Sequence, residues 1–191
     1  MIRDHDRSGW FGASDTAAIM GSWETETFWK WWAVKLGIRQ EHYTNAAMQA
    51  GTAYEHRILD ALGVKSRDRQ VRIHALRLRV NYDGDDACTI TEVKTHSAAR
   101  FKVSRAYWMQ CQVEMLASGW GLRQRKACRI AAYRIGEAEK QNFFLPVDPG
   151  RITIWPVAYD EAWVETQYLP RLRYLAGCLK TGRWPRKEEV A

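Results

Sequence analysis

The sequence is short of the features that mark several large protein classes. It has four cysteines, Cys88, Cys111, Cys128 and Cys178, far apart and with no C-x-x-C pair. Spacing therefore indicates neither a zinc site nor a four-cysteine iron–sulfur cluster, and reduced, partly buried thiols are expected. The five histidines, His5, His42, His56, His74 and His96, are equally scattered, so zinc is not expected. No run of about 18 apolar residues is present to suggest a membrane span. The opening MIRDHDRSGW is charged rather than basic and then apolar, unlike a secretion signal. These two absences lead to the expectation of a cytoplasmic protein. No Gly-rich Walker loop occurs, so ATP-driven translocation within this chain is not expected. Nor is there an internal repeat, a low-complexity tract or a linker-like stretch, and one domain over residues 1–191 is the reading.

Basic charge is abundant. Lys and Arg number 29 against 22 Asp and Glu, a formal net charge of +7. That excess favours a polyanionic partner, nucleic acid more commonly than an anionic membrane. Basic residues alternate with rings in RFKVSRAYW, WGLRQRKACR, LPRLRYL and GRWPRK, a composition suited to a groove that follows a phosphate backbone and stacks on bases. Of the 10 tryptophans, Trp29 and Trp32 stand at helical spacing and are assigned to the core. Trp10, Trp23 and Trp184 are the freer candidates for DNA or subunit contact.

Periodicity gives the element order. GASDTAAIMG reads as a short helix and TETFWKWWAVKLGI as a second that ends at Gly37. A third, AAMQAGTAYEHRILDAL, is capped by Thr44 or Asn45 and closes at Gly63. Residues 69–75 and 76–82 alternate and read as a hairpin or bent strand, with Leu76, Leu78, Val80 and Tyr82 on one face. TITEVKTH is a further strand and SRAYWMQCQVEMLASG a helix. ACRIAAYRIG, NFFLPVD and ITIWPVA are strands, and a helix spans about 160–178. The order predicts an α/β fold with a central mixed β-sheet flanked by helices.

The stretch NYDGDDACTITEVKTH, residues 81–96, carries the chemistry. Period two puts Ile90, Glu92 and Lys94 on one face of a strand, and the preceding strand delivers Asp83 to it. Carboxylate oxygens are the ligands that Mg²⁺ or Mn²⁺ prefers, and a neighbouring Lys can orient water or stabilise charge on a phosphate in flight. An Asp with a Glu-x-Lys also fits a surface ion pair of about 0 to 1 kcal/mol. Gly51 and Glu55 share a helical face, so the helix can approach the sheet at Gly51 and offer Glu55 as a further ligand. Ser14 with the amides of a helix start makes an anion site, and Arg7 can grip a phosphate with a bidentate fork. Tyr107, Gln110 and Glu114 fall on one helical face, from which Gln112 points away in a structural role.

The arrangement Asp83-(x)8-Glu92-Val93-Lys94 resembles the Asp…Glu-x-Lys core of the PD-(D/E)XK nuclease superfamily. Three segments, RSGWFGASDTAAIMG, MQAGTAYEHRIL and AYWMQCQVEM, are similar to motifs of its phage-lambda-type exonuclease family, also called the YqaJ-like viral recombinase family. All four occur in the family's order over residues 7–115. The resemblance implies a restriction-endonuclease-like core and one or two Mg²⁺ ions, or Mn²⁺, held by Asp83, Glu92, Glu55 and the Val93 backbone carbonyl. It implies Lys94 and Gln110 as catalytic partners, Arg7 and Ser14 as the pocket for a terminal 5′-phosphate, and Tyr107 as a DNA contact. Activity on double-stranded DNA ends follows, 5′ to 3′, releasing mononucleotides and leaving 3′ overhangs for phage or prophage recombination in a bacterial host. A single-strand annealing protein is the implied partner and a homotrimer the implied assembly. A restriction-like endonuclease and a DNA-binding module without catalysis remain alternatives. The sequence departs from the family in having Asn81-Tyr82 where a Pro often precedes the metal Asp, and Thr95-His96 in place of a frequent Cys-Pro. Asp85 and Asp86 stand close enough to compete with Asp83.

Overall fold

Five strands form one sheet in the order β1-β2-β3-β4-β5. The computed structural model describes residues 8–40, 46–122 and 124–186, with backbone only at 46–50. Arg7, Thr44 and Asn45 lie outside the described residues. The strands are β1 (Arg67–Ile73), β2 (Leu78–Asp85), β3 (Thr89–His96), β4 (Ala127–Arg134) and β5 (Ile152–Val157). β3 and β4 pair in parallel and the other neighbours antiparallel, giving the mixed sheet that the element order predicted.

The parallel pair requires a crossover, and helix α4 (Arg105–Gly119) supplies it. Ser104 starts that helix by accepting from the Tyr107 amide at 3.2 Å. Upstream lie α1 (Thr16–Met20), α2 (Glu26–Lys35) and α3 (Ala46–Ala61). Gly37 and Gly63 follow α2 and α3 with φ near 72°, the left-handed stop that glycine adopts without strain. After β4 come α5 (Glu137–Gln141), α6 (Glu161–Trp163), a π turn (Val164–Tyr168) and α7 (Leu169–Thr181). Asp160 opens this last helical stretch by accepting from the Trp163 amide at 2.8 Å.

Two cores sandwich the sheet. One packs Phe11, Ile19, Phe28 and Trp32 with Leu78, Val80, Tyr82, Met115 and Leu172. The other packs Tyr54, Ile58 and Leu59 of α3 with Val93, Ala131 and Tyr133. Gly84 lets α3 dock there, since a Cβ would meet Leu59 at 2.8 Å and Val64 at 2.9 Å.

The structure corrects three readings. NFFLPVD is not a strand: Asn142 Oδ1 accepts from the Phe144 amide at 3.0 Å, Pro146 brings no donor, and Phe144 is 90% exposed. Local side-chain bonds win over ladder pairing in that segment. Trp23 is buried, stacked on Phe28 and Tyr174 at 5.8 and 5.7 Å, and is not a contact residue. Trp29, assigned to the core, is exposed beside Trp184, with ring centroids 5.1 Å apart. ITIWPVA, by contrast, is the strand β5, and its Pro156 is tolerated because β5 is an edge.

Behind the sheet, buried Glu139 accepts from Arg151 through both guanidinium nitrogens (2.6 and 2.8 Å), from the Gly136 amide (2.7 Å) and from the Tyr133 hydroxyl. Burial alone would raise this carboxyl, but Tyr133, Arg151 and Gly136 outweigh it and hold it below its usual value. A depressed carboxyl stabilises the fold above the unfolded carboxylate range and loses that contribution as pH falls through its folded value. Glu139→Ala is expected to cost about 3 kcal/mol, visible in denaturant titration at pH 7 and shrinking toward pH 3.

Candidate active site

β2 and β3 pair only at Gly84↔Thr91 and Asp85↔Ile90. Toward the next pair the ladder opens, and Asp83 Oδ2 accepts from the Val93 amide at 2.8 Å. A side-chain carboxylate thus stands where a main-chain carbonyl would otherwise accept. This opening carries Asp83 to Glu92 and Lys94.

Glu92 is buried, 3% exposed. Its Oε1 accepts from the Lys94 ammonium and from Gln110 Nε2 at 2.7 Å. Gln110, on α4, also accepts from Lys94 at 3.3 Å and donates to Glu114 Oε1 at 2.9 Å. The Lys94 Nζ lies 4.9 Å from the Tyr107 ring centroid, a cation–π contact. The predicted Asp83, Glu92, Lys94, Gln110 and Tyr107 are therefore in one place. Gln112 points away, donating to the Ala158 carbonyl and accepting from the Asp160 amide, a tie between α4 and the C-terminal helices.

Electrostatics give the cluster its character. Burial, then Glu92 and Glu55, raise the Asp83 carboxyl well above its usual range, against the Val93 amide and Lys94. Glu55, half-buried on α3, is raised by burial and then by Glu92. Burial would lower Lys94, but Glu92 beside it prevails, so the ammonium stays charged. Three carboxylates that repel one another around one cation, with oxygen donors only, fit a hard divalent ion. Their spacing is open. Among the described residues, potential ligand atoms gather within 4.8 Å at Cys111/Glu114/Cys128 and at Glu55/His56/Asp68, not at Asp83/Glu92/Glu55.

Asp85 does not compete with Asp83. It is ion-paired to Arg69 at 2.6 Å and to Lys126, whose ammonium also donates to the Asp86 carbonyl at 2.6 Å. Val93 is fixed to Asp83 through its amide. Ser14 lies exposed in the turn Ala13–Asp15, beside a cleft of about 90 Å³ lined also by Trp10, Arg79, Asn81 and Gln110. The Gly12 amide already donates to Asp15, which also accepts from Trp31 and Lys35. The polar groups facing the cleft are thus side chains more than helix-start amides.

Sequence reasoning grouped Glu114 with Gln110 but missed its surroundings. Glu114 is fully buried and within 3.8 Å of Cys128 Sγ. Burial and then Glu92 push its carboxyl well above the usual range. Its i, i+4 spacing from Gln110 was the available signal; the approach of Cys128 from β4 left none.

A mixed five-stranded sheet with a helical crossover, and an Asp and a Glu-x-Lys meeting where two strands part, define the site, and solved structures share the α/β fold. An alkaline exonuclease, LHK-Exo, from Laribacter hongkongensis aligns over 92% of this chain and 90% of its own, at 20% identity and a TM-score of 0.65. A phage-related exonuclease from Haemophilus somnus 129PT aligns over 91% of this chain and 96% of its own, at 14% identity and a TM-score of 0.62. No family model and no curated protein sequence matches the chain. Among the described residues no helix is long and apolar enough to cross a membrane.

Proposed function

We propose that the chain is a Mg²⁺-dependent exonuclease of the phage-lambda type, acting 5′ to 3′ on double-stranded DNA ends. The observation that carries the reading is the convergence of Asp83, Glu92 and Lys94 with Gln110 at the opening between β2 and β3. The names of the similar structures, an alkaline exonuclease and a phage-related exonuclease, support it.

Asp83, Glu92 and Glu55 would hold the ion, with the Val93 carbonyl as a further donor. When bound, Mg²⁺ supplies Lewis-acid charge to the scissile phosphate and a water of lowered pKa. Lys94, charged and braced by Glu92, Gln110 and the Tyr107 ring, positions the attacking water and offsets negative charge as it grows on the phosphate. Gln110 fixes the Glu92 rotamer and has a carboxamide available to phosphate or water. Ser14, with Arg7, receives the terminal 5′-phosphate. Mononucleotides leave, the other strand remains as a 3′ overhang, and a single-strand annealing protein takes that overhang in phage-type recombination. The assembly in this reading is a homotrimer around the DNA.

Linear duplex labelled at the 5′ or 3′ end, with a closed circle alongside, tests the proposal. Mg²⁺ should release 5′ mononucleotides from the linear substrate, faster from 5′-phosphorylated than from 5′-hydroxyl ends, and EDTA should stop release. Cutting of the circle would move the assignment to an endonuclease. Binding without hydrolysis would leave a DNA-binding module.

A further inference from the structure

A second cleft shares the catalytic face of the sheet. Register places Glu92 beside Ile130 and Ile130 beside Trp155, Lys94 beside Ala132 and Ala132 beside Thr153, and His96 beside Arg134. Side chains in such a row stand on one face. Trp155 is therefore two strand spacings from Glu92, roughly 10 Å. The cleft at this end has a volume of about 380 Å³ and is lined by Phe101, Trp155, Arg100, Arg134, Arg151 and His96, with no acid in its wall.

Rings join it to the catalytic lysine. Tyr107, under Lys94, lies parallel to Phe101 at 6.1 Å and 7°, and Phe101 meets Trp155 at 6.1 Å. Trp155 is 40% exposed on the edge strand, its ring tethered by an Nε1 bond to Thr153 Oγ1 at 3.2 Å. Arg151 is occupied by Glu139 and Asp148. The guanidinium groups of Arg100 and Arg134 have no ion-pair or hydrogen-bond partner among the described residues, and the His96 Nδ1 is buried without one. An exposed ring held in place beside unneutralised guanidinium groups is what a nucleotide needs, a face for the base and cations for the phosphate. The Ser14 cleft is lined from β2 by Arg79 and Asn81, and this one lies toward β4 and β5. The catalytic row on β3 is between them.

From this placement we infer that the Phe101–Trp155 cleft binds one nucleotide of the attacked DNA strand on the 3′ side of the scissile bond, its base against Trp155 and its phosphate at Arg134 and Arg100. The inference rests on the exonuclease reading. It adds that the strand crosses the sheet from β2 toward β5, and that this chain grips it by stacking.

Blunt duplexes with 2-aminopurine at the first, second, third or fourth nucleotide of the 5′ strand test it, bound to the full chain with Ca²⁺ in place of Mg²⁺. Quenching is expected at one internal position and not at the first. Trp155→Ala should abolish it, Trp155→Phe should keep it, and Arg134→Ala should weaken duplex binding about tenfold, the usual loss for one stacking or phosphate contact. Uniform quenching, or none, overturns the site, as does quenching that survives Trp155→Ala. If Trp155→Ala instead changes the sedimentation of the free protein, the exposed β5 face is an interface between copies and the proposal fails. Parallel Mg²⁺ digestion separates the two ideas. A parent that degrades DNA without position-specific quenching sinks only this site, and a parent inert on DNA yet quenched at one position sinks the exonuclease reading and with it the placement relative to a scissile bond, leaving only a nucleotide-stacking cleft.

Discussion

If the chain is the proposed nuclease, Lys94→Ala is expected to lower the rate of phosphodiester hydrolysis by about 10³-fold, the usual loss when one preorganised group that meets transition-state charge is removed. The Lys94 side chain is 19% exposed, its ammonium beside Glu92 and Gln110 and over the Tyr107 ring. Water there is scarce, so screening is weak and each charge counts for more than on an open surface. Because Glu92 keeps the ammonium protonated, the lysine would act in the proposed reaction as a fixed positive charge and not as the base. Its loss should appear in single-turnover kcat, while duplex affinity in Ca²⁺ changes only a few-fold. Lys94→Arg retains the charge but brings a planar fork in place of a point donor, and should recover little of the rate. A variant that hydrolyses DNA within tenfold of the parent would reduce Lys94 to an ion-pair partner of Glu92.

Asp83→Asn should abolish hydrolysis and, without a divalent ion, raise Tm by a few degrees. The Asp83 carboxyl is held near Glu92 and Glu55 against burial and repulsion, so a neutral side chain relieves a strain built into the native state. Asn retains an oxygen for the Val93 amide, and the opening of the ladder need not change. Mg²⁺ should then stabilise the parent in proportion to its occupancy and leave the variant unmoved. Differential scanning calorimetry with and without Mg²⁺ measures both. A variant less stable than the parent in EDTA would mean that the carboxylates do not oppose one another as the geometry requires.

The parts of the fold legible in the sequence are those governed by short-range rules. Alternation marked β2 and β3, helical spacing marked α4, and Gly37 and Gly63 marked two helix ends. NFFLPVD failed because its ring and branched residues satisfy the strand pattern, while Asn142 and Pro146 divert the backbone. Within the site, Asp83, Glu92 and Lys94 were legible because two strands and a turn bring them together locally, and Gln110 through the resemblance of AYWMQCQVEM to the family's helix. Partners arriving from a distance were not legible: Lys126 claiming Asp85, Cys128 approaching Glu114, and Trp155 sharing a face with Glu92. Each requires the register of β4 against β3 or β5, which no local pattern in the sequence specifies.

Where β2 and β3 part, the continuity of the sheet passes through a side chain, since the Val93 amide is satisfied by Asp83. In the proposed reading one residue thus serves both secondary structure and chemistry, and truncating it removes both at once. Ala at 83 would orphan a main-chain donor as well as remove a ligand, whereas Asn would leave a folded but silent protein. If Asp83 is the ligand proposed, Asn is the substitution that separates the two roles, keeping the acceptor for Val93 and removing the charge.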